Sequence, residues 1–454
     1  MLFEWGCLTH NGDEVSSTVI QQKSKACLPL DSRDSTVSSR TAAGESFRTR
    51  DSKGDGSSRA YERWGIRQLL QQMGDPQVSL RLWDGFSITP RQGESLATIK
   101  IHNRRTLTQL VLKGDVAFGD EFAAGNIEID GDLVALLVEL YGSRAQQRSF
   151  LTRVVELFFR NRPRSNTLQG SRDHIHHHYD IGNAFYKLWL DHEMQYTCAY
   201  FPEPDMSLEA AQQAKMDHIC RKLRLEPGDR VVEAGCGWGS LARHMALHYG
   251  AKVTAWNISH EQIRYATERA KAEGYDDRVR YVEDDYRNIS GEYDVFVSVG
   301  MLEHVGEQNY SALGSVVDTC LAADGRALIH TIGRNQPKLM NAWIEKRIFP
   351  GAYPPTLREM MDIIEPNNFS VLDVENLRLH YVRTLEHWLL RYDDASDQVV
   401  EMFDPAFARA WRLYLCGSIA AFLYGSLQLF QVLFARGRDN TIPWSRQHQY
   451  LSEQ

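Results

Sequence analysis

Glu233 ends a short apolar run and is followed by three glycines at alternate positions, Gly235, Gly237 and Gly239. This pattern, continued by the helical periodicity of residues 241–249, predicts a strand, a tight turn and a helix. Glycines in the turn can adopt φ > 0 and let the backbone approach a ligand, and the acid can accept hydrogen bonds from an amine or hydroxyl. The spacing is neither the dinucleotide fingerprint G-x-G-x-x-G nor a P-loop. A structural turn without a ligand is the alternative interpretation.

Two further residues suited to acid–base chemistry, Glu303 and His330, also lie at the ends of predicted strands. The other predicted strands and one helix among them cover residues 252–256, 279–283, 293–299, 325–331 and 261–273. Strands alternating with helices predict a mainly parallel sheet covered on both faces, an α/β Rossmann-like fold. Ligands of such sheets bind beyond the carboxyl ends of the strands. We therefore expect Glu303 and His330 to converge in one pocket, with a satisfied core pair as the alternative.

The glycine turn resembles motif I of class I S-adenosylmethionine (SAM) methyltransferases. Five more motifs accompany it in order: His178-Tyr179-Asp180-Ile181-Gly182-Asn183, Met194-Gln195-Tyr196-Thr197-Cys198-Ala199-Tyr200-Phe201, Gly300-Met301-Leu302-Glu303-His304-Val305-Gly306, His330-Thr331-Ile332-Gly333 and Leu427-Gln428-Leu429-Phe430-Gln431-Val432-Leu433-Phe434. Together they resemble the cyclopropane-fatty-acyl-phospholipid synthases and the related mycolic acid cyclopropane synthases. The resemblance covers about residues 60–437.

This resemblance implies transfer of a methylene unit from SAM to the cis double bond of an unsaturated phospholipid acyl chain. An alkene is a weak nucleophile and a sulfonium methyl is a strong electrophile, so methyl transfer leaves a cationic centre. A base must then remove a proton from the new methyl group to close the ring, and the family uses bound bicarbonate for this step. The alternatives are a SAM-dependent C-methyltransferase giving a methyl- or methylene-branched acyl chain, and a non-catalytic lipid-binding protein on the same scaffold.

The resemblance also assigns a bicarbonate site, formed by Cys198, Glu303, His330, Ile332 and Tyr381. His330 would donate a hydrogen bond to the anion, and Glu303 would accept the anion's own proton. Ile332 would act through its backbone N–H. Cys198 is expected to contribute a weak donor or an amide, and Tyr381 a phenol donor.

The SAM site is implied in the same way. It comprises Tyr196, Thr197, Glu233, Gly235, Gly237, Gly239, Asn257, Gln262 and Asp285. Glu233 is expected to hold or support the amine, Asn257 and Gln262 to face the ribose and adenine, and Asp285 to lie near the adenine. Asn257 departs from the acid common at this position in SAM enzymes and from the threonine usual in this family.

Composition divides the chain into four segments: a disordered extension over residues 1–59, a domain over 60–160, a linker over 161–172 and a larger domain over 173–454. The resemblance implies that the segment over 60–160 is an N-terminal lipid-docking domain and that the segment over 173–454 is the methyltransferase domain. The extension is polar and lacks apolar periodicity, so it cannot offset the entropy of ordering. A transit peptide or a mis-assigned start are its alternatives. The second segment predicts a small α+β unit, with strands over 78–83 and 96–101 and helices over 106–112 and 132–141. A purely structural cap is the alternative to lipid docking.

One apolar run, residues 413–435, carries no charge and is long enough for a membrane span. Its polar residues favour instead a buried helix that lines an acyl-chain tunnel or forms a subunit contact, as in a homodimer. The net charge of -8 argues against nucleic acid as the main partner. Seven cysteines without a C-x-x-C pair and a start without a secretory pattern indicate a cytoplasmic protein. The resemblance implies that it is peripherally associated with the inner face of the membrane. No metal site is expected at His174–His178, because this cluster has no partner cysteine or second cluster at ligand spacing. None is expected at Asp284-Asp285, because a carboxylate after the third strand of this fold more often faces the adenine amine.

Overall fold

The computed structural model describes residues 55–91, 93–146 and 181–450. The predicted linker over 161–172, the cluster His174–His178 and residues 1–54 of the predicted extension lie outside the described residues.

The N-terminal unit is a four-stranded sheet packed against helices. Its elements are α1 (Ala60–Gln72), β1 (Val78–Leu82), β2 (Ser87–Ile88), β3 (Ala97–Ile101), α2 (Arg104–Lys113), α3 (Asp115–Ala123), β4 (Ile127–Gly131) and α4 (Leu133–Gln146). The sheet order is β2-β1-β3-β4, and β1 runs parallel to β3. The predicted strands and helices of this segment are confirmed.

The ordered N-terminal unit begins before residue 60, where the sequence predicts that the disordered extension ends. Ser58 is buried, and both its amide and its hydroxyl donate to Asp84, at 2.7 and 2.6 Å. The Trp83 indole donates to the carbonyl of Gly56 at 2.9 Å. Residues 55–59 therefore belong to the ordered N-terminal unit, because their polar groups are paired with the turn between β1 and β2.

The larger unit is built on a seven-stranded sheet. Its elements are α5 (Asn183–Tyr186), α6 (Leu208–Lys222), β5 (Arg230–Ala234), α7 (Ser240–His248), β6 (Lys252–Asn257), α8 (His260–Glu273), β7 (Val279–Glu283), β8 (Tyr293–Val299), α9 (Tyr310–Cys320), β9 (Leu321–Gly333), α10 (Ala342–Arg347), α11 (Leu357–Ile364), β10 (Phe369–Asn376), α12 (Arg378–Asp394), α13 (Ser396–Met402), α14 (Pro405–Tyr424) and β11 (Gln428–Arg436).

The sheet order is β7-β6-β5-β8-β9-β11-β10. Strands β5 to β9 are parallel, and β11 is antiparallel to both of its neighbours. The chain order reverses between β5 and β8, which is where ligands of open parallel sheets bind. The α/β class and the first five strands of the large sheet are as predicted, and the glycine turn follows β5.

The prediction of one buried helix over residues 413–435 is wrong. Helix α14 ends at Tyr424, Gly425 takes a left-handed φ of 83°, and the chain continues as β11. Strand β11 lies between β9 and β10 and is buried on both faces, so its sequence is mostly apolar on both faces and does not alternate between apolar and polar residues. Such a run cannot be distinguished from a buried helix by periodicity. Among the described residues, no helix is long and apolar enough to cross a membrane.

A single apolar cluster joins the two units. It contains Phe122 and Leu136 of the N-terminal unit together with Trp343, Trp411 and Leu415 of the larger one. The larger unit is therefore completed by the N-terminal one, because side chains from both form the same core.

Polar contacts fix the same interface. Asp120 on α3 accepts two hydrogen bonds from the Arg347 guanidinium, at 2.9 and 2.8 Å, and one from the Trp343 indole at 3.2 Å. A Cβ on Gly119 would overlap the Trp343 indole. The glycine and acid of Phe118-Gly119-Asp120-Glu121-Phe122 thus serve close helix packing and an ion pair.

Candidate active site

The glycine turn has one position that opens onto empty space. Gly235, Gly237 and Gly239 all have positive φ, at 83°, 54° and 83°. A Cβ on Gly235 would lie 2.8 Å from Cβ of Met301, and one on Gly239 would lie 2.5 Å from Oη of Tyr281. A Cβ on Gly237 would meet nothing within 4 Å. Gly237 is therefore the position at which the backbone can face a ligand, whereas the other two glycines permit packing.

Glu233 is a buried carboxylate with one oxygen unpaired. Its side chain is enclosed at the end of β5, and Oε2 has no hydrogen-bond partner. Burial raises the pKa of Glu233 to about 8, and the nearby Lys215 ammonium acts in the opposite direction. An unpaired buried acceptor is costly unless a ligand satisfies it. The residue therefore suits a ligand amine.

The residues predicted for the ribose and adenine side lie at the ends of β6 and β7. The Asn257 amide donates to the carbonyl of Gly237 at 3.3 Å and to Oε1 of Gln262 at 2.7 Å. The structure thus brings these three residues together. Both oxygens of the Asp285 carboxylate contact Arg287. Oδ1 accepts a hydrogen bond from the Arg287 amide at 3.0 Å, and Oδ2 lies 3.4 Å from the Arg287 guanidinium.

The segment with Tyr196 and Thr197 is held from two sides. Helix α6 binds both polar groups of Thr197: Gln212 donates to its carbonyl at 2.9 Å, and Lys215 donates to its hydroxyl at 3.0 Å. The Tyr196 and Tyr414 hydroxyls are 2.8 Å apart. Thr197 also packs against the turn after β8, since a Cβ on Gly300 would lie 3.0 Å from the Thr197 methyl.

Glu303 and Ile332 are in direct contact. The Ile332 amide donates to Oε1 of Glu303 at 2.5 Å, while Oε2 is buried without a partner. Burial raises the pKa of Glu303 to about 7. The Ile332 N–H, which is expected to act on an anion, donates to Glu303 in this structure and so orients the carboxylate. Its action on an anion stays a prediction.

His330 is paired on one side only. Gln431 on β11 donates to Nδ1 at 3.1 Å, and Nε2 is buried without a partner. Because Nδ1 accepts, the proton of the neutral ring is on Nε2, which is a donor. Burial lowers the pKa of His330 to about 3, so the ring is neutral at physiological pH. Glu303 follows β8, and His330 lies near the carboxyl end of the neighbouring strand β9, two residues before Ile332.

Cys198 and Tyr381 lie in the same aromatic core but in different settings. The Cys198 thiol is fully buried and donates to the carbonyl of Ala199 at 3.1 Å. Burial raises the pKa of this thiol, so it stays protonated. The Tyr381 ring packs on Phe422 with centroids 4.7 Å apart and on Trp388 at 5.9 Å.

Lys215 was not predicted from the sequence. It is buried on α6, near Glu233, Cys198 and Asp191, and burial lowers its pKa to about 8. The helical spacing of the sequence could have indicated Lys215. It falls on the stripe of buried residues of α6 that also contains Leu208, Ala211, Ile219 and Lys222. A lysine on a core-facing stripe indicates a function or a buried partner.

Comparisons with known proteins identify the family. Residues 166–432 match the family model described as mycolic acid cyclopropane synthetase, and residues 66–154 match a domain of unknown function. The first match covers more than half of the chain. The chain belongs to the mycolic acid cyclopropane synthetase family. It is a SAM-dependent methyltransferase of the cyclopropane synthase type, a family of lipid-modifying enzymes.

Individual relatives of this family agree. The chain is 36% identical over 398 residues to a probable fatty acid methyltransferase of Pseudomonas putida, covering 84% of this chain and 98% of that one. It is 42% identical over 270 residues to the cyclopropane-fatty-acyl-phospholipid synthase of Escherichia coli K12, covering 59% and 69%. The solved cyclopropane synthase MmaA2 of Mycobacterium tuberculosis is 27% identical, with a TM-score of 0.56, covering 58% of this chain and 98% of that one.

The cofactor fits this chain's own residues. A related mycolic acid cyclopropane synthase, 28% identical with a TM-score of 0.55 and covering 58% of this chain and 97% of that one, was solved with SAH. Here the open face of Gly237 and the unpaired oxygen of Glu233 supply the close backbone approach and the acceptor that SAM needs. Among the described residues, no group of three or more acids, histidines or cysteines could hold a metal ion.

Proposed function

We propose that the enzyme transfers a methylene unit from SAM to the cis double bond of an unsaturated phospholipid acyl chain, with bicarbonate as the base. The observation that carries the proposal is the pair of unpaired buried atoms, Oε2 of Glu303 and Nε2 of His330. One is an acceptor and the other a donor, which matches a bicarbonate ion that must both give and receive hydrogen bonds.

The chain's residues divide the chemical tasks. Bound SAM would supply an electrophilic methyl group, and the alkene would supply the electron pair for the new carbon–carbon bond. The electron pair of the broken S–CH₃ bond would stay on the sulfur atom of the leaving SAH. Nε2 of His330 would donate a hydrogen bond to an anionic oxygen of bicarbonate. Oε2 of Glu303 would accept a hydrogen bond from the O–H group of the same ion. The base removes one proton from the transferred methyl group, and that C–H electron pair closes the three-membered ring. The acyl chain therefore gains one CH₂ and the base gains one proton.

Aromatic side chains suit both the acyl chain and its transient positive charge. Tyr196 lies 5.3 Å from Trp189, 5.4 Å from Trp388 and 5.4 Å from Tyr186, measured between ring centroids. Such faces exclude water and attract a cation through the ring quadrupole. A hydrocarbon substrate needs the first property, and the cationic centre left by methyl transfer needs the second.

The phospholipid substrate is supported by the name of the Escherichia coli relative and by the N-terminal unit. On α1, Tyr61 and Trp64 are 61% and 64% exposed and share a face with exposed Arg67. On α2, Val111 and Leu112 are 75% and 70% exposed, next to exposed Lys113. Exposed aromatic and aliphatic side chains beside cations suit an anionic phospholipid surface. Trp64→Ala should weaken sedimentation with anionic vesicles while leaving SAH affinity unchanged.

The product is tested with the full chain, methyl-labelled SAM and vesicles of cis-unsaturated phospholipid. We expect upfield cyclopropane proton signals in the product lipid, and turnover that falls in degassed bicarbonate-free buffer and returns when bicarbonate is added. Exomethylene signals without ring signals would favour a branched product, an alternative supported by the Pseudomonas putida relative's name, fatty acid methyltransferase. Full turnover without bicarbonate would reject the proposed base.

A further inference from the structure

Lys215 carries a buried positive charge that the protein does not neutralise directly. Its ammonium group has three N–H donors, and one of them reaches an acceptor, the Thr197 hydroxyl at 3.0 Å. Among the described residues, no carboxylate lies within 4.0 Å of its nitrogen. A buried cation without an ion pair is costly, so a position of this kind indicates a ligand or a functional role.

Lys222, on the same helix, is a buried lysine whose charge is paired with carboxylates. It is equally buried, and its ammonium lies 2.6 Å from Glu375 and 3.3 Å from Asp373. The two lysines are seven residues apart, two turns along α6, so they lie on the same face. The two lysines therefore differ in that, among the described residues, no carboxylate contacts the Lys215 ammonium group.

The surroundings of Lys215 place that missing anion beside the cofactor turn. Lys215 acts electrostatically on Glu233, whose Oε2 is also unpaired. It holds Thr197, which packs against the turn after β8. A buried carboxyl group and a buried ammonium group, each lacking part of its hydrogen bonding, thus both lie near the glycine turn.

We propose that Lys215 completes the cofactor site, positioning Thr197 and supplying the positive charge that faces the carboxylate of SAM, opposite Glu233, which faces the ammonium. The inference rests on the SAM site of the proposed function. An α-amino acid is a zwitterion, and a buried pair of opposite charges recognises both of its ends. Neither charge alone would select the amino-acid end over a neutral group.

The charged state of the pair follows from its neighbours. Around Lys215 lie Asp191, Cys198, Glu233 and His330. Around Glu233 lie Lys215, Cys220, Cys236 and Tyr281. Burial raises the pKa of these thiols and of the Tyr281 phenol, and lowers that of His330, so all are neutral near pH 7. The carboxylates Asp191 and Glu233 are therefore the groups that can balance Lys215.

The test measures binding of two nucleosides by calorimetry with the full chain. SAH carries the amino-acid end, whereas 5′-methylthioadenosine has the nucleoside and thioether without it. Lys215→Met should weaken SAH at least about tenfold at pH 7 and leave methylthioadenosine within about twofold. The SAH loss should narrow as the pH rises through about 8, because Lys215 then loses its proton in the parent.

Lys222→Met is the matched control. It removes an equally buried lysine from the same helix, so it should lower Tm by leaving Glu375 and Asp373 unpaired, with the ratio of SAH to methylthioadenosine affinity unchanged. Equal loss of both nucleosides in Lys215→Met, or unchanged SAH affinity, would overturn the inference. If Lys215→Met binds SAH normally but needs more bicarbonate for turnover, the positive charge of Lys215 serves the bicarbonate ion instead of SAM. That result would also overturn the inference. A parent protein that binds neither nucleoside would instead refute the SAM site itself.

Discussion

At the residue scale, the candidate site contains buried side-chain oxygen and nitrogen atoms that make no hydrogen bond. Oε2 of Glu233, Oε2 of Glu303 and Nε2 of His330 are all buried and unpaired. Buried polar atoms are nearly always hydrogen-bonded in folded proteins. The described residues contain further buried side-chain atoms without a partner, but these three carboxyl and imidazole atoms lie near the carboxyl ends of adjacent strands β5, β8 and β9, and we infer that ligands bind there.

The glycine turn provides a matched pair of substitutions. Gly237→Ala should reduce SAH affinity at least tenfold with a small loss of Tm, because its Cβ enters open space and costs only about 1 kcal/mol for positive φ. Gly239→Ala should lower Tm much more, because its Cβ would lie 2.5 Å from the Tyr281 hydroxyl. Calorimetry and thermal unfolding separate the two effects. Equal SAH affinity in Gly237→Ala and the parent would refute a ligand at that position.

Glu303→Gln should separate activity from stability. We expect turnover to fall about a hundredfold or more, because the amide cannot take a proton, while SAH affinity is kept. The folded-state pKa of about 7 exceeds the ordinary 4.5, so the unfolded chain releases its proton first as the pH rises. Ionisation of Glu303 therefore subtracts from the free energy of unfolding between about pH 4.5 and pH 7, and the variant escapes this loss. A Tm difference that stays constant over this interval would contradict the assignment.

At the element scale, most of the parallel strands could be predicted, because strand and helix patterns alternate clearly and each strand ends in a polar motif. Strand β11 could not, because burial on both faces removes the alternation that distinguishes a strand. Glu303 and His330 were found through their strand-end motifs. Lys215 was missed because it lies within a helix far from any motif, and its environment depends on contacts with Thr197 that only the fold creates.

Two helical glycines should respond oppositely to the same substitution. Gly119→Ala on α3 should lower stability by roughly 1–3 kcal/mol, because the new methyl group overlaps the Trp343 indole at the interface between the units. Gly65→Ala on α1 meets no atom within 4 Å and should raise stability by roughly 0.5–1 kcal/mol. Denaturant unfolding measures both values. A neutral Gly119→Ala would show that α3 does not need close approach to α10.

At the scale of the whole molecule, the N-terminal unit shares its core with the methyltransferase unit. Deleting residues 55–146 would expose Trp343, Trp411 and Leu415, which now pack in one cluster with Phe122 and Leu136. We expect this deletion to give an aggregation-prone protein with little turnover on vesicles. Deletion of residues 1–54, which the sequence predicts to be dispensable, is the control and should leave turnover nearly unchanged. A monodisperse, fully active product of the longer deletion would contradict the shared core.

The position of β11 has a consequence for how the chain is made. Ribosomes deliver β9 and β10 before β11, yet β10 joins the large sheet through β11. Until the last strand emerges, β10 lacks this neighbour and β9 presents an open edge, a state that invites pairing with other nascent chains. The same strand carries Gln431, which sets the proton on His330. Synthesis thus imposes an order on assembly: a prematurely terminated chain lacking β11 cannot orient the imidazole, so turnover waits until translation has passed residue 436.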